Sequence, residues 1–178
     1  MAPWEGLKTL SSLEHLKFED SPGFTRSWQL AAAELESKHN YFPRRLQVLD
    51  IDDMGVLCVP ICSHLTSLKK LSIHGSLYSQ RDYVDSLTDD NERALLLLIS
   101  LRDLMFDQFN HLQSLPAGLQ CLASLQRLTV SGCELIKSLP MGGFPASLKE
   151  MEIHGCSEEL TELCREACAV QKIHFTSG

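Results

Sequence analysis

The residues of this chain best equipped for chemistry are its seven cysteines and seven histidines. Cys58 with Cys62, and Cys164 with Cys168, are four apart, which puts both thiols of each pair on one face of a helix. A zinc site needs close Cys or His pairs at ligand spacing, and the nearest extra candidates, His64 and His174, match no such template. His74, His154 and His174 beside Glu152 or Ser131 would be the acid–base groups of a hydrolase, yet no nucleophile motif of the G-x-S-x-G kind is present. The expectation is therefore no catalytic residue, no metal and no cofactor in this chain, which is read as a non-enzyme. An odd number of cysteines leaves at least one thiol unpaired. With no secretory apolar stretch in the first twenty residues, this fits a reducing compartment and a cytoplasmic or nuclear location.

What remains is recognition. Lys and Arg number 16 against 23 Asp and Glu in 178 residues, a net charge of −7. That sign disfavours nucleic acid, whose binding is driven by clustered cations, and an anionic membrane surface. The longest apolar run, Ala94 to Ile99, is far too short to span a bilayer. The 44% hydrophobic content is enough to bury a core, so one folded domain over residues 1–178 is expected. Leucine is the outlier at 31 residues, roughly twice an average composition.

The leucines fall into a pattern of Leu, two residues, Leu, one residue, large apolar. It appears as Leu13-Leu16-Phe18, Leu46-Leu49-Ile51, Leu68-Leu71-Ile73, Leu101-Leu104-Phe106, Leu125-Leu128-Val130 and Leu148-Met151-Ile153, with a worn copy at Val170-Ile173-Phe175. Four of the six start-to-start intervals are 22 to 24 residues, inside the range of leucine-rich repeats. The fourth and sixth positions alternate with period two, so each copy reads as a short strand with one buried face. No copy can close a core alone; stacked in parallel, neighbours share one interior. The expected fold is α/β: a curved leucine-rich-repeat solenoid of about seven repeats, with a parallel sheet on the concave side and loops and short helices on the convex side. Strands are placed near 13–18, 46–51, 68–73, 101–106, 125–130, 148–153 and 170–175.

Between the strands, Val59-Pro60, Leu115-Pro116 and Leu139-Pro140 occupy similar places, and proline there keeps a regular helix from starting early. Ser67, Ser100, Ser124 and Ser147 stand just before strands, where a hydroxyl can serve a turn. The two 33-residue intervals imply convex insertions at 22–42 and 77–98. The first carries a helix in Phe24 to Tyr41. The second starts a helix with Asp89 as N-cap and Glu92 three residues later. Cys133 and Cys156 follow their strands by three residues, where such repeats place an Asn or Cys that bonds turn backbone.

Side chains flanking the buried strand positions form columns on the concave face. The first reads His15, Val48, Lys70, Asp103, Arg127, Glu150, Lys172. The second reads Lys17, Asp50, Ser72, Met105, Thr129, Glu152, His174, and the third Glu19, Asp52, His74, Asp107, Ser131, His154. The candidate partner-binding residues are Lys17, Asp50, Asp52, Lys70, His74, Asp103, Met105, Asp107, Arg127, Glu150, Glu152 and His154. Asp50, Asp52, Asp103 and Asp107 lend an acidic character suited to a partner with basic groups, while Arg127 and Met105 are the side-chain types that most often anchor interfaces.

The strings Leu112-Gln113-Ser114-Leu115-Pro116-Ala117-Gly118-Leu119, Leu125-Gln126-Arg127-Leu128-Thr129-Val130-Ser131-Gly132-Cys133 and Gly155-Cys156-Ser157-Glu158-Glu159-Leu160 resemble the C-terminal repeats of plant intracellular nucleotide-binding leucine-rich-repeat disease-resistance receptors, especially the cereal coiled-coil type. The resemblance runs from about Leu13 to Phe175. It implies a protein partner: a pathogen effector, a guarded host protein, or the receptor's own nucleotide-binding module. No phosphate loop is present, so this chain is not itself the nucleotide switch. It reads as the C-terminal piece of a receptor, or else as a stand-alone repeat adaptor with a non-immune partner. Uncapped solenoid ends would favour self-association.

Overall fold

The structure, a computed structural model, describes residues 12–19, 21, 27–28, 44–75 and 87–178. Among the described residues, seven strands form a single parallel sheet: β1 (His15–Phe18), β2 (Val48–Ile51), β3 (Lys70–His74), β4 (Asp103–Asp107), β5 (Arg127–Ser131), β6 (Glu150–His154) and β7 (His174–Ser177). Their order in the sheet is their order in the chain, so every strand pairs with its sequence neighbours. Three α-helices lie in the described return segments, α1 (Val59–Cys62), α2 (Asp89–Leu96) and α3 (Glu158–Gln171). Short 3₁₀ turns occur at Met54–Val56 and Leu119–Cys121. This α/β arrangement is compatible with a stacked-repeat architecture.

The core follows from the leucine spacing. Leu46, Leu68, Leu101, Leu125 and Leu148 are buried as the chain turns into each strand. Behind them Leu49, Leu71, Leu104, Leu128 and Met151 point inward, then Ile51, Ile73, Phe106, Val130 and Ile153. Each such side chain contributes about 1.5–3 kcal/mol of transfer free energy on burial. Each strand packs against the strands before and after it, and helix α1 against α2 of the next return segment, so the core is a row rather than a centre.

Two devices tie one strand unit to the next. At the strand starts, the carbonyl of each leading residue accepts from two amides of the following unit: Gln47 O from Lys69 N and Lys70 N, Lys69 O from Arg102 N and Asp103 N, Arg102 O from Gln126 N and Arg127 N, Gln126 O from Lys149 N and Glu150 N. Beside them, Ser100 Oγ donates to Thr66 O at 2.6 Å, Ser124 Oγ to Ile99 O at 2.6 Å and Ser147 Oγ to Leu122 O at 3.3 Å. These serines therefore clasp the preceding unit instead of closing their own turns as the sequence suggested. At the strand ends, Gln108, Gly132 and Gly155 each follow their strand with φ of 59°, 60° and 55°. A left-handed residue turns the chain out of the sheet at the same place in three successive units. A Cβ on Gly75, at the equivalent place after β3, would lie 2.2 Å from Gln108 O, so only glycine lets the two backbones approach there.

Several expectations are corrected. The seventh copy is out of register: α3 runs through Val170, which is 83% exposed, and Lys172 ends it in a left-handed conformation. β7 begins at His174, which pairs with Glu150, and Thr176 pairs with Glu152. Each column therefore closes two residues later than 170–175 implied, because helix α3 consumes the residues assigned to the strand. No proline interrupts residues 157–172, and α3 reaches 14 residues, whereas Pro60 sits in the first turn of the four-residue α1. The N-cap of α2 is Thr88, one residue before Asp89. Thr88 Oγ1 accepts from Asn91 N at 3.2 Å, and Asn91 Oδ1 accepts from Thr88 N at 3.2 Å. Glu92 instead accepts from Ala117 N at 2.9 Å. Of the helix placed in 24–41, only Ser27 and Trp28 are described. Both are helical, and Trp28 is buried beside Phe18 with ring centroids 6.3 Å apart. The rest of that expected helix and the first ten residues of insertion 77–98 lie outside the described residues.

Candidate functional site

The polar face of the sheet is laid out by register. Val48, Lys70, Asp103, Arg127 and Glu150 are aligned across β2 to β6, as are Asp50, Ser72, Met105, Thr129 and Glu152. His15 and Lys17 extend the two rows onto β1, and a third row joins His74, Asp107, Ser131 and His154. Asp52 follows the last residue of β2. All twelve residues proposed for binding thus lie on or beside one face, opposite the leucine core.

That face is more self-contained than its composition suggests. His74 on β3 stands between two carboxylates, with Nε2 2.8 Å from Asp50 Oδ1 and Nδ1 3.1 Å from Asp107 Oδ2. Of the two contacts, only the one from Nδ1 to Asp107 has hydrogen-bond geometry; Nε2 and Asp50 Oδ1 are both buried and meet as a close approach. Arg127 repeats the arrangement one strand pair along. Its Nη1 is 2.9 Å from Asp103 Oδ1 on β4 and its Nε 2.7 Å from Glu150 Oε2 on β6. The Glu150 hydrogen bond is the main reason the Arg127 guanidinium holds its proton even more firmly than usual, with slight burial opposing and Asp103 assisting. Lys17 bridges Glu19 at 2.7 Å and Asp50 at 3.8 Å. Those contacts, Glu19 first, raise the Lys17 pKa, and Lys17 lowers that of Glu19. Thr129 Oγ1 donates to Glu152 at 3.2 Å.

Asp50, Asp103 and Asp107 are therefore engaged across strands, and the acidic patch read from the sequence is largely compensated. Strand pairing explains why: parallel neighbours lie roughly 4.8 Å apart, so an Asp and a base on adjacent strands meet. Lys70 and Met105 are different. Lys70 is exposed and makes no ion pair among the described residues, and Met105 stands half-buried in the middle row. Among the described residues no group of three or more His, Cys, Asp or Glu side chains is placed to hold a metal ion.

The cysteines behave as small core or turn groups. All seven are free thiols. Burial pushes Cys62, Cys133 and Cys164 up to about 12 and Cys168 up to about 11. Cys133 Sγ donates to Ser131 O at 3.3 Å and Cys156 Sγ to His154 O at 3.4 Å, bonding turn backbone at the strand ends.

Sequence reading missed a feature at the opposite edge, where the strands begin. Arg45, Lys69 and Arg102, with Glu14, Gln47 and the hydroxyl residues Thr66 and Ser67, line an open groove of about 530 Å³. The available signal was the residue before each strand, which reads Glu14, Gln47, Lys69, Arg102, Gln126, Lys149 and carries cations in three of six copies.

A single seven-stranded parallel sheet with one apolar and one polar face defines an α/β protein whose polar columns form a continuous surface. No protein-family profile matches the chain. The chain is similar to the disease resistance protein RPS4B of Arabidopsis thaliana, with 30% identity over 126 residues. The match takes in 64% of this chain, which spans only about a tenth of that protein's length. This is thus a region related to a plant disease-resistance protein. The relative comes from Arabidopsis, and the similarity lends nothing to the narrower cereal coiled-coil assignment. Among the described residues no helix is long and apolar enough to cross a membrane.

Proposed function

We propose that this chain is a leucine-rich-repeat recognition module of a plant immune receptor, cytoplasmic or nuclear, that binds protein through the polar face of its sheet. The partner is a pathogen effector, a guarded host protein or the receptor's own nucleotide-binding module, and occupancy of the face restrains or releases the receptor. No cofactor or catalytic step enters this reading. The observation that carries it is the register itself: six strands bring side chains separated by more than a hundred residues of sequence onto one ordered surface. Similarity to a disease-resistance protein gives that surface its context. The cross-strand pairs about His74 and Arg127 hold the face rigid, which lowers the entropy lost on docking. Binding energy then falls to the groups left available, Met105 and Lys70 foremost.

The test is selection of protein ligands for the full chain from a library of secreted pathogen proteins and plant intracellular proteins, followed by calorimetry with variants. Met105→Arg and Lys70→Glu are expected to weaken a selected ligand at least tenfold each, with unchanged thermal stability. Ligands that bind both variants as well as the parent would overturn the assignment of this face.

A further inference from the structure

The geometry points to a second docking surface, distinct from the sheet face and not dependent on it: the groove at the strand starts binds an acidic segment of a protein, an extended stretch rich in Asp and Glu. Three observations lead there. Its cations are unspent. On the sheet face Lys17 and Arg127 each meet two carboxylates, but Arg45 and Arg102 form no ion pair among the described residues, and Lys69 donates only to the neutral Gln47 Oε1 at 2.7 Å. Among the described residues, Glu14, at one end, is the sole acid lining the groove.

The cations are also pre-positioned. Lys69 and Arg102 sit in the column whose carbonyls each accept two amides from the next unit, so their backbones are pinned on both sides. Parallel strands set successive leading residues roughly 4.8 Å apart, and same-face side chains of an extended peptide repeat at roughly 6.6 Å. A segment with acids at alternate positions, running across the strand ends, can therefore offer a carboxylate to each cation, with Thr66 and Ser67 as further donors.

The third observation is what the groove lacks. No described lining residue is aromatic, so bases would have nothing there to stack on, and the three described cations are few beside the six to ten phosphate contacts of ordinary nucleic-acid binders. The chain's net charge of −7 repels a dense polyanion, while a short acidic peptide meets only the local excess of cations.

The experiment titrates the full chain into a fluorescein-labelled octapeptide of alternating Glu and Asp in 50 mM NaCl, followed by anisotropy, with a Ser-Gly octapeptide and an octamer of single-stranded DNA as comparison probes. The expected result is saturable binding of the acidic peptide alone. It should weaken at least tenfold in the Arg45→Ser, Lys69→Ser, Arg102→Ser triple variant and in 500 mM NaCl, and be unaffected by Arg127→Met. If the triple variant fails to fold, Arg102→Gln alone should weaken binding about threefold. The inference is overturned by absence of saturable binding, by equal binding to the triple variant or, where that does not fold, to Arg102→Gln, by equal loss in Arg127→Met, or by DNA binding as tight as the peptide. The partner selections above are independent of all these outcomes.

Discussion

Replacing Ser100, Ser124 and Ser147 by alanine removes one clasp from each of three successive strand-unit contacts. A net intramolecular hydrogen bond contributes about 0.5–1.5 kcal/mol. The 2.6 Å bonds of Ser100 and Ser124 belong at the upper end, about 1–1.5 kcal/mol, and the 3.3 Å bond of Ser147 near 0.5 kcal/mol. Thr66 and Ile99 are exposed, so their abandoned carbonyls regain water and no further penalty for a dry, unpaired acceptor is due there. Each bond serves a different contact, so the triple variant should lose about 3 kcal/mol. With a urea slope of about 2 kcal/mol/M, Ser100→Ala and Ser124→Ala each lower the midpoint by about 0.6 M, Ser147→Ala by about 0.25 M and the triple by about 1.5 M. Ser138→Ala, on an exposed return segment, is the control and should leave the midpoint within about 0.2 M. The reasoning fails if Ser147→Ala costs as much as Ser100→Ala, or if the triple variant costs no more than one single.

Four further outcomes follow from the same contacts. Asn91 donates through Nδ2 to Met54 O at 3.1 Å and Leu57 O at 2.9 Å while capping its own helix, so Asn91→Leu should cost about 3 kcal/mol in urea unfolding, the largest loss of any single polar change in α2. Arg127→Met, whose pairs are one-third to one-half exposed, should cost no more than about 1 kcal/mol, and the loss should shrink in 1 M NaCl. Gly132→Ala should cost about 1–2 kcal/mol, because φ is +60° and a Cβ would come within 2.6 Å of Gln108 Nε2. The buried thiols predict a pH effect with a definite sign. Their folded pKa values of about 11 to 12 lie above the ordinary 9.0, so between those limits the folded state holds more protons than the unfolded state. Their contribution is therefore complete below pH 9 and lost as pH rises toward 12. At pH 8 a thiol reagent should label exposed Cys121 first and reach Cys62 and Cys164 only on unfolding.

Period-two alternation after each leading leucine was enough to place six strands and their exposed columns, because burial of one strand face dictates which residues alternate. The seventh strand was misread because Val170 and Ile173 satisfy the same spacing within a helix end; the Ser157 N-cap, which accepts from Leu160 N at 3.2 Å, was the overlooked sign of α3. For α2, Asp89 and Glu92 fit a capping box as well as Thr88 and Asn91 do. The choice is made by Met54 O and Leu57 O, which draw the Asn91 amide inward and lie far away in sequence. The carboxylates of the candidate site were legible as members of columns, but their engagement was not, since the Asp50–His74–Asp107 and Asp103–Arg127–Glu150 bridges depend on which strands are neighbours and how side chains lean. The basic groove escaped notice because its cations precede the strands rather than lie within them.

The central claim, that the polar sheet face receives the protein partner, is tested most directly by oxidative footprinting of the chain free and bound to a selected ligand. Met105 stands on that face and Met141 is fully exposed on a return segment, while Met54 and Met151 are buried and report unfolding. The account predicts a several-fold fall in Met105 sulfoxide on binding, with Met141 unchanged. Protection of Met141 with Met105 as reactive as in the free chain would contradict it.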